Sequence, residues 1–236
     1  MAAVVLVHGG GFAASCWDLM VEHLDADGLA VDLPGRGAHP APLESVTLER
    51  AARSVVADVD AAGYDDIVLV GHSLAGCSMP GIIGLLGGRV RHAVFVACTV
   101  PPHGASAFDT LDPEFQAQVR ATGRVRAPGV LDAAVAKVIF GNDLDDEQFA
   151  WCVDRMVPEA PHLTVDPVDL APLRASTAPR TWVRPLRDAI VDPAKQLAFA
   201  GNVGGCTMID LDAAHMCMIS KPMELAMVIN GIAARA

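Results

Sequence analysis

The chain has 236 residues, of which 52% are hydrophobic and only 5% aromatic, and its formal net charge is −11. That length suits one large domain with an aliphatic interior, with room for a small insertion. The negative charge repels phosphate backbones and anionic lipid, and no cluster of Lys or Arg offsets it. We therefore expect neither a nucleic-acid partner nor a membrane partner.

The spacing of the cysteines and the apolar segments indicate the redox state and the cellular compartment of the protein. No Cys-x-x-Cys pair or metal-ligand spacing occurs among the six cysteines, which are Cys16, Cys77, Cys98, Cys152, Cys206 and Cys217. This pattern is typical of reduced, mostly buried thiols, and no metal is expected. The N-terminus has no basic segment before its apolar run, and the longest apolar region, residues 79–100, is interrupted by charges. A cytoplasmic protein without a signal peptide or membrane span is the expectation.

The first hundred residues alternate apolar strands with amphipathic helices. Strands are predicted at residues 2–7, 29–33, 68–70 and 92–97. A helical spacing covers residues 16–24, Thr47 is placed to cap a helix that ends near Gly63, and another helix runs to about Leu86. Strands that are apolar throughout and alternate with helices indicate a parallel sheet covered on both faces. The predicted class is α/β, with about six mostly parallel strands.

From residue 101 to about 178 the pattern changes to helices without strands. Helix starts are indicated at Asp112-Pro113, Asp145-Asp146 and Asp166-Pro167, and residues 129–140 form a further amphipathic run. We interpret this insertion as a helical lid over the carboxyl edge of the sheet, where open α/β sheets bind ligands. Strands resume at 180–186 and 206–211, and a last helix covers 223–234. The predicted division is therefore core 1–100, lid 101–178 and core 179–236.

A serine lies where the strand at 68–70 meets the next helix. Gly71 and Ala75 bracket Ser73 in the pattern Gly-x-Ser-x-Gly, with alanine in place of the last glycine. Such a sharp turn strains the central residue and tolerates only small neighbours, and it lifts the hydroxyl out of the sheet. The amide of Leu74 would face an anion at the same spot, paired with an amide of the first glycine loop, most plausibly that of Gly10.

An activated serine also needs a base and an acid that orients the base. His215 is the best-placed base because it follows a late strand by a short loop, at the same edge as Ser73. Asp188, after the strand at 180–186, is the preferred acid, and Asp212 is the alternative. Among other histidines, His8 is expected to shape its glycine loop and His72 to point away from the nucleophile. The residues expected to line an apolar substrate pocket are Gly9, Trp17, Phe140, Trp151 and Met216.

These residues form longer motifs along nearly the whole chain. The motifs are Leu6-Val7-His8-Gly9 with Trp17, Asp32-Leu33-Pro34-Gly35, Gly71-His72-Ser73-Leu74, Asp188 with Ile190 and Gln196, and Ala214-His215-Met216-Cys217-Met218 before Lys221-Pro222. With them the chain resembles the α/β-hydrolase superfamily, and more narrowly the branch of plant methyl esterases (salicylate methyl esterase type), hydroxynitrile lyases and small bacterial esterases. The resemblance implies Ser73 as nucleophile, His215 as base and Asp188 as its partner, with oxyanion donors at Gly10 and Leu74 and no cofactor. Ala75, where glycine is usual, is the departure.

The same branch separates esterases from lyases. Its hydroxynitrile lyases resemble the esterases but carry threonine and lysine where this chain has Gly9 and Met216, so no cation is supplied for a leaving cyanide. The resemblance thus implies a serine carboxylesterase acting on small to medium apolar esters. The alternatives are a lyase or cofactor-free catalyst of C–C cleavage or cyclisation, and a slow-turnover binding protein. A neutral base implies activity that falls through about pH 6 to 7, where histidine ordinarily titrates. A homodimer is compatible with the sequence.

Overall fold

The computed structural model describes residues 1–123, 125 and 132–236. It contains one six-stranded sheet made of β1 Ala3–Val7, β2 Gly28–Val31, β3 Ile67–His72, β4 Val90–Val96, β5 Arg180–Pro185 and β6 Cys206–Leu211. Every neighbouring pair is parallel, and the order across the sheet is β2-β1-β3-β4-β5-β6. The predicted class and strand number are confirmed.

Helices cover both faces of this sheet. Their bounds are α1 Asp18–Val21, α2 Leu48–Ala62, α3 Met79–Leu86, α4 Pro113–Ala121, α5 Ala133–Ile139, α6 Asp146–Asp154, α7 Pro161–Val165, α8 Ala171–Ala175, α9 Pro193–Val203, α10 Cys217–Ser220 and α11 Pro222–Ala233. Because side chains alternate along a strand, β1 contributes Val5 and Val7 to one apolar cluster and Val4 and Leu6 to the other. All five residues of β1 are buried, which explains why its sequence is apolar throughout.

Strand register brings distant loops to one edge of the sheet. Val7 at the end of β1 pairs with Gly71 of β3, so the glycine loop after β1 emerges beside the turn after β3. Pro185 at the end of β5 pairs with Leu211 at the end of β6, which brings the next two loops together. These loops are the ones that carry the residues singled out in the sequence.

Most helix caps follow the predicted chemistry. Thr47 accepts a hydrogen bond from the Arg50 amide at the start of α2, and Asp112 and Asp145 cap α4 and α6 through their carboxylates. The cap predicted at Asp166 is wrong. Asp166 instead follows the unpredicted helix α7, where its carboxylate pairs with the His162 ring at 2.8 Å, and the next helix begins only at Ala171.

Other helices differ in extent from the sequence expectation. The helix predicted over 16–24 is a 3-10 turn, Ala14–Trp17, followed by the short α1. The run predicted over 129–140 contains α5, which Asp132 caps, whereas residues 129–131 lie outside the described residues. The helix predicted over 223–234 is confirmed as α11. Helix α9 was not predicted, although Asp192-Pro193 gives it the same Asp-Pro start as α4.

The insertion between β4 and β5, residues 97–179, is called the β4–β5 segment below. Its described part is helical, with α4 to α8 and no strand. Its last helix packs beside the core, where a Cβ on Gly84 of α3 would lie 2.6 Å from Pro172 of α8. The division at residues 100/101 and 178/179 remains a prediction. Across the described ranges, no helix has the length and apolarity needed to cross a bilayer.

Candidate active site

The turn after β3 has the strained geometry that the sequence predicts. Ser73 has a φ of +52°, in the left-handed region that side chains rarely adopt, and it opens a 3-10 turn, Ser73–Cys77. A Cβ on Gly71 would overlap the sulfur of Met79, so only glycine fits there. The Cβ of Ala75 would still lie 3.4 Å from that added atom. Alanine at position 75 therefore fits the bracket without a clash, and the need for glycine at position 71 comes from Met79.

One hydrogen-bonded chain links the three residues proposed for chemistry. The Ser73 hydroxyl lies 2.9 Å from His215 Nε2, and His215 Nδ1 lies 2.8 Å from Asp188 Oδ2. The carboxylate requires Nδ1–H as donor, which leaves Nε2 free to accept the hydroxyl proton. Both His215 and Asp188 are almost fully buried, while Ser73 is half-buried. The structure thus joins the three side chains across 142 residues of sequence.

The acid is fixed from three sides. Its Oδ1 accepts hydrogen bonds from the amides of Ile190 and Val191, at 2.8 and 2.9 Å, and its Oδ2 lies 3.4 Å from the Gln196 amide nitrogen. Together with His215 these donors determine the orientation of the Asp188 carboxylate. The alternative acid, Asp212, is exposed and pairs with Arg187 instead. Geometry therefore selects Asp188.

The glycine loop after β1 lies directly against the turn at Ser73. A Cβ on Gly9 would lie 2.9 Å from Ser73 Cβ, and one on Gly10 would lie 3.0 Å from Leu74 Cδ2. The Gly10 N–H has no acceptor within the described residues. Leu74 stands at the start of a helical turn, where N–H groups lack intrahelical partners. Two donors are therefore available beside the hydroxyl, as an oxyanion site requires.

An ion pair between Glu159 of the β4–β5 segment, which is partly buried, and the buried Arg36 of the core holds this loop, and sequence reasoning missed it. Glu159 accepts a hydrogen bond from the Gly11 amide at 2.7 Å, and its other oxygen pairs with the Arg36 guanidinium. The Val157 amide donates to the Gly11 carbonyl at 2.8 Å. Both polar groups of Gly11 are thus taken by the segment, so the loop bearing Gly10 is fixed.

His72 was predicted to point away from the nucleophile, and this is wrong. Its Nε2 donates to the His215 carbonyl at 3.0 Å, and the two rings are 4.7 Å apart. Its Nδ1 is buried without a partner. Burial lowers the pKa of His72 well below its usual value, and the neighbouring His215 adds to this effect. His72 is therefore a neutral ring packed beside the base.

His8 has the structural role expected of it. Its Nδ1 donates to the Gly9 carbonyl at 2.9 Å, and its Nε2 accepts the Leu33 amide at 3.2 Å. Burial, together with the nearby Arg36 guanidinium, lowers the pKa of His8 to about 3. A neutral His8 thus ties the glycine loop to the loop after β2. Four other histidines have side-chain partners that the sequence did not reveal, such as Asp58 for His39 and Thr181 for His92.

The predicted pocket residues divide into two groups. Phe140 stacks over the His215 ring with 5.9 Å between centroids, and Met216 follows His215 fully buried. The Trp17 ring lies edge-on to the His72 ring, with 6.2 Å between centroids, and His72 in turn packs against His215. The Trp151 ring lies against the Arg155 guanidinium at 3.7 Å and packs on the same apolar cluster as Phe140 and Met216, so its place in the pocket stays a prediction. With Gly9, four of the five predicted residues therefore surround Ser73 or the histidines next to it.

Two cavities differ sharply in size and position. The cavity beside the glycine loop, lined by Gly9, Gly10, Leu74 and Glu159 among others, has a volume of about 10 Å³. A cavity of about 1,020 Å³ lies instead around α3 and α8, lined by residues such as Pro172, and no triad residue borders it. Neither cavity is lined by Ser73, Asp188 or His215, so neither measures the space in front of the Ser73 hydroxyl.

The thiols offer no competing nucleophile. All six cysteines are free, and only Cys206 is more than slightly exposed. Burial raises the pKa of Cys77 and of Cys152 to about 12 and that of Cys206 to about 11. A thiol with a raised pKa is a poor nucleophile. No cluster of three or more metal-binding side chains occurs among the residues with described placement.

Comparisons with known proteins identify the family to which this fold belongs. A family model described as "Alpha/beta hydrolase family" matches residues 4–228. The carbendazim hydrolyzing esterase of Nocardioides sp. (strain SG-4G) is 29% identical over 242 residues, covering 96% of this chain and 97% of that protein. The probable esterase PIR7A of Oryza sativa subsp. indica is 29% identical over 268 residues, covering 98% and 96%. An extracellular alpha/beta-hydrolase from a Paenibacillus species has a similar structure, with a TM-score of 0.88 at 20% identity over 98% of this chain and 99% of that chain. This chain belongs to the α/β hydrolase family.

Proposed function

We propose that this protein is a carboxylic ester hydrolase in which Ser73 is the nucleophile, His215 the general base and Asp188 the orienting acid. The observation that carries the proposal is the unbroken hydrogen-bonded chain from the Ser73 hydroxyl through both ring nitrogens of His215 to the Asp188 carboxylate. Relatives named as esterases, which match this chain over nearly its whole length, support ester hydrolysis.

Acylation begins when the Ser73 oxygen attacks the ester carbonyl carbon as its proton passes to His215 Nε2. The carbonyl oxygen becomes an oxyanion, which the amides of Gly10 and Leu74 stabilise by hydrogen bonds. Asp188 stabilises the imidazolium that forms. The intermediate then breaks its bond to the alkoxy oxygen, which takes the proton from Nε2 and leaves as an alcohol.

Deacylation repeats the sequence with water. His215 takes a proton from a water molecule, the hydroxide attacks the acyl carbon, and the bond to Ser73 breaks as the serine oxygen regains a proton. The products are a carboxylic acid and the original enzyme. Because Nε2 must accept a proton in both halves, the Nδ1–H tautomer set by Asp188 is required throughout.

The surroundings of Ser73 favour small apolar esters. Phe140 and Met216 are apolar neighbours of the base, and the glycine loop is crowded, since a Cβ on Gly10 would lie 3.0 Å from Leu74 and 3.1 Å from Glu159. A long acyl chain on that side would have to displace Leu74 or Glu159. We therefore propose that turnover declines as the acyl group lengthens.

No observation favours the lyase or the binding-protein alternative. The residue after His215 is Met216, which is fully buried and uncharged, and the residue after His8 is glycine. A leaving cyanide would find no cation at either place. A binding protein without turnover would not need the three-residue hydrogen-bonded chain.

The proposal is tested with 4-nitrophenyl esters of increasing acyl length, assayed with the wild type and Ser73→Ala side by side. We expect the wild type to hydrolyse acetate and butyrate faster than decanoate, and Ser73→Ala to lose at least about 10³-fold in kcat. Ser54→Ala is the matched control, because Ser54 lies on α2 and has no role at the site. Turnover by Ser73→Ala equal to that of the control contradicts the proposal.

A further inference from the structure

Two adjacent residues of the β4–β5 segment contact both loops that carry the acid and the base. Asn142 and Asp143 form the turn between α5 and α6. Asn142 Nδ2 donates to the Arg187 carbonyl at 2.7 Å, and Asp143 Oδ2 accepts the Ala214 amide at 2.7 Å. These two partners immediately precede Asp188 and His215 in the chain. One turn therefore holds the backbone on the N-terminal side of each residue.

The hydrogen bond that Asp143 accepts is made by a buried carboxylate. The Asp143 side chain is only 3% exposed, and its Oδ1 has no hydrogen-bond partner. The Arg187 guanidinium is 3.9 Å from Oδ2, but Arg187 makes its closer contact with Asp212, at 2.9 Å. A buried carboxylate is costly unless it is well paired. Its strongest partner here is the backbone amide next to His215.

The two loops are also bonded to each other. The Arg187 amide donates to the Ala213 carbonyl at 2.9 Å, so the backbones before Asp188 and His215 already run side by side. The turn at Asn142 and Asp143 adds one hydrogen bond to each of these two backbones. A shift of this turn would therefore move the acid and the base relative to Ser73, which is held by β3.

We propose that Asn142 and Asp143 are positioning residues that set the distance between His215 and Ser73. This inference rests on the proposed function, because it assigns a role in the same reaction. Neither residue touches the reacting atoms, and both act through the Arg187 carbonyl and the Ala214 amide. A misplacement of about 1 Å can cost on the order of 10²-fold in rate, so two short bonds at this place have a large effect.

The test compares Asp143→Ala, Asp143→Asn and Asn142→Ala with the wild type on 4-nitrophenyl acetate. The concentration of active sites is titrated with a fluorophosphonate, so that kcat refers to folded, reactive enzyme only. A purely structural role lowers the number of titrated sites and leaves kcat per site unchanged. The matched control is Asp145→Ala, which removes the cap of α6 two residues away without touching either loop.

We expect Asp143→Ala to lower kcat per site about tenfold or more with KM within twofold, because the hydrogen bond aligns His215 rather than binding substrate. Asp143→Asn, whose amide oxygen can still accept from Ala214, should regain most of that loss. Asn142→Ala, on an exposed turn that tolerates truncation, should lower kcat per site severalfold even if Asp143→Ala fails to fold. Asp145→Ala should equal the wild type.

Two results overturn the inference. One is a kcat per site within twofold of the wild type for both Asn142→Ala and every folded Asp143 variant. The other is an Asp143→Asn enzyme as slow as Asp143→Ala, which would show that the charge acts rather than the hydrogen bond. If Ser73→Ala keeps wild-type turnover, the proposed function fails instead, so the two failures are distinguishable.

Discussion

The sheet core and the β4–β5 segment contribute to the site in different ways. The core carries Ser73 at the end of the buried strand β3, and Asp188 and His215 in the loops after β5 and β6. The segment reaches the same edge with polar side chains, Glu159 at the glycine loop and Asn142 with Asp143 at the acid and base loops. The reacting groups therefore come from the core, and contacts that orient them come from the β4–β5 segment. Substitutions in the two regions should therefore have effects of different size.

The largest effect is expected in the core, at Asp188. Asp188→Asn should lower kcat by about 10³-fold to 10⁴-fold, because an amide facing Nδ1 favours the wrong imidazole tautomer. The matched control is Asp212→Asn, at the exposed carboxylate that the sequence left as an alternative acid. Its kcat should stay within twofold of the wild type. Steady-state assays on one ester compare the two, and equal losses would contradict the assignment.

An intermediate effect is expected where the segment holds the oxyanion loop. Glu159→Gln removes the charge that pairs with buried Arg36 and weakens the bond to the Gly11 amide. We expect kcat to fall about tenfold to 10²-fold, below the full loss of an oxyanion donor, and the free energy of unfolding to fall by about 3 kcal/mol. Kinetics and urea unfolding measure both.

The control for that substitution is Glu147→Gln, on the exposed first turn of α6 in the same segment. It should change neither quantity measurably. A Glu159→Gln enzyme with wild-type kcat would show that the segment does not orient the glycine loop. That result would contradict an orienting role for the segment at this loop.

A smaller effect concerns the buried histidines of the core. The pKa of His8 is lowered to about 3 and that of His72 is lowered as well, both by burial. Since the unfolded chain titrates near 6.5, it binds protons first as the pH falls. The contribution of these two histidines to the free energy of unfolding should be fully present above about pH 6.5. Below that pH the free energy of unfolding should decline toward pH 3, by at most about 1.4 kcal/mol per pH unit for each histidine.

Urea unfolding at pH 7.5, 6.5 and 5.5 measures this decline. The variant His23→Gln, which changes an exposed histidine, should leave the pH dependence as it is in the wild type. A free energy of unfolding that stays constant from pH 6.5 to 5 would mean that the two buried rings accept protons in the folded state.

The smallest effect is expected far from the site, at the start of α2. Thr47→Ala removes the side chain that accepts the Arg50 amide and should cost about 1 kcal/mol of unfolding free energy. Kinetic constants should not change, because α2 contributes no group to the reaction. Thermal unfolding combined with an esterase assay checks both, and a changed kcat would mean that the core helices influence the site.

The sequence predicts the core well for a physical reason. Strands buried on both faces must be apolar throughout, so β1, β3 and β4 stand out as continuous runs. Ser73, Asp188 and His215 follow strands in parallel order, and parallel strands expose their carboxyl ends at one edge. Residue type and topology together were therefore enough to select these three residues.

The contacts from the segment leave no such signal. Glu159 meets Gly11 across 148 residues, and Asp143 meets Ala214 across 71, so neither pair produces a local period or a recognisable spacing. The error at Asp166 has a related cause, because its carboxylate is used by His162 in a helix whose short, half-apolar sequence gave no pattern. Polar pairing at long range is decided by the fold, and only coordinates reveal it.

The covalent intermediate gives the most direct test of the central claim. A fluorophosphonate that mimics the tetrahedral intermediate is incubated with the wild type, and peptide mass spectrometry locates the phosphonyl group. We predict one adduct, on Ser73, formed at a rate that falls at least about 10³-fold in His215→Ala because the hydroxyl then has no base. An active enzyme that carries no adduct, or carries it on a residue other than Ser73, would contradict the account.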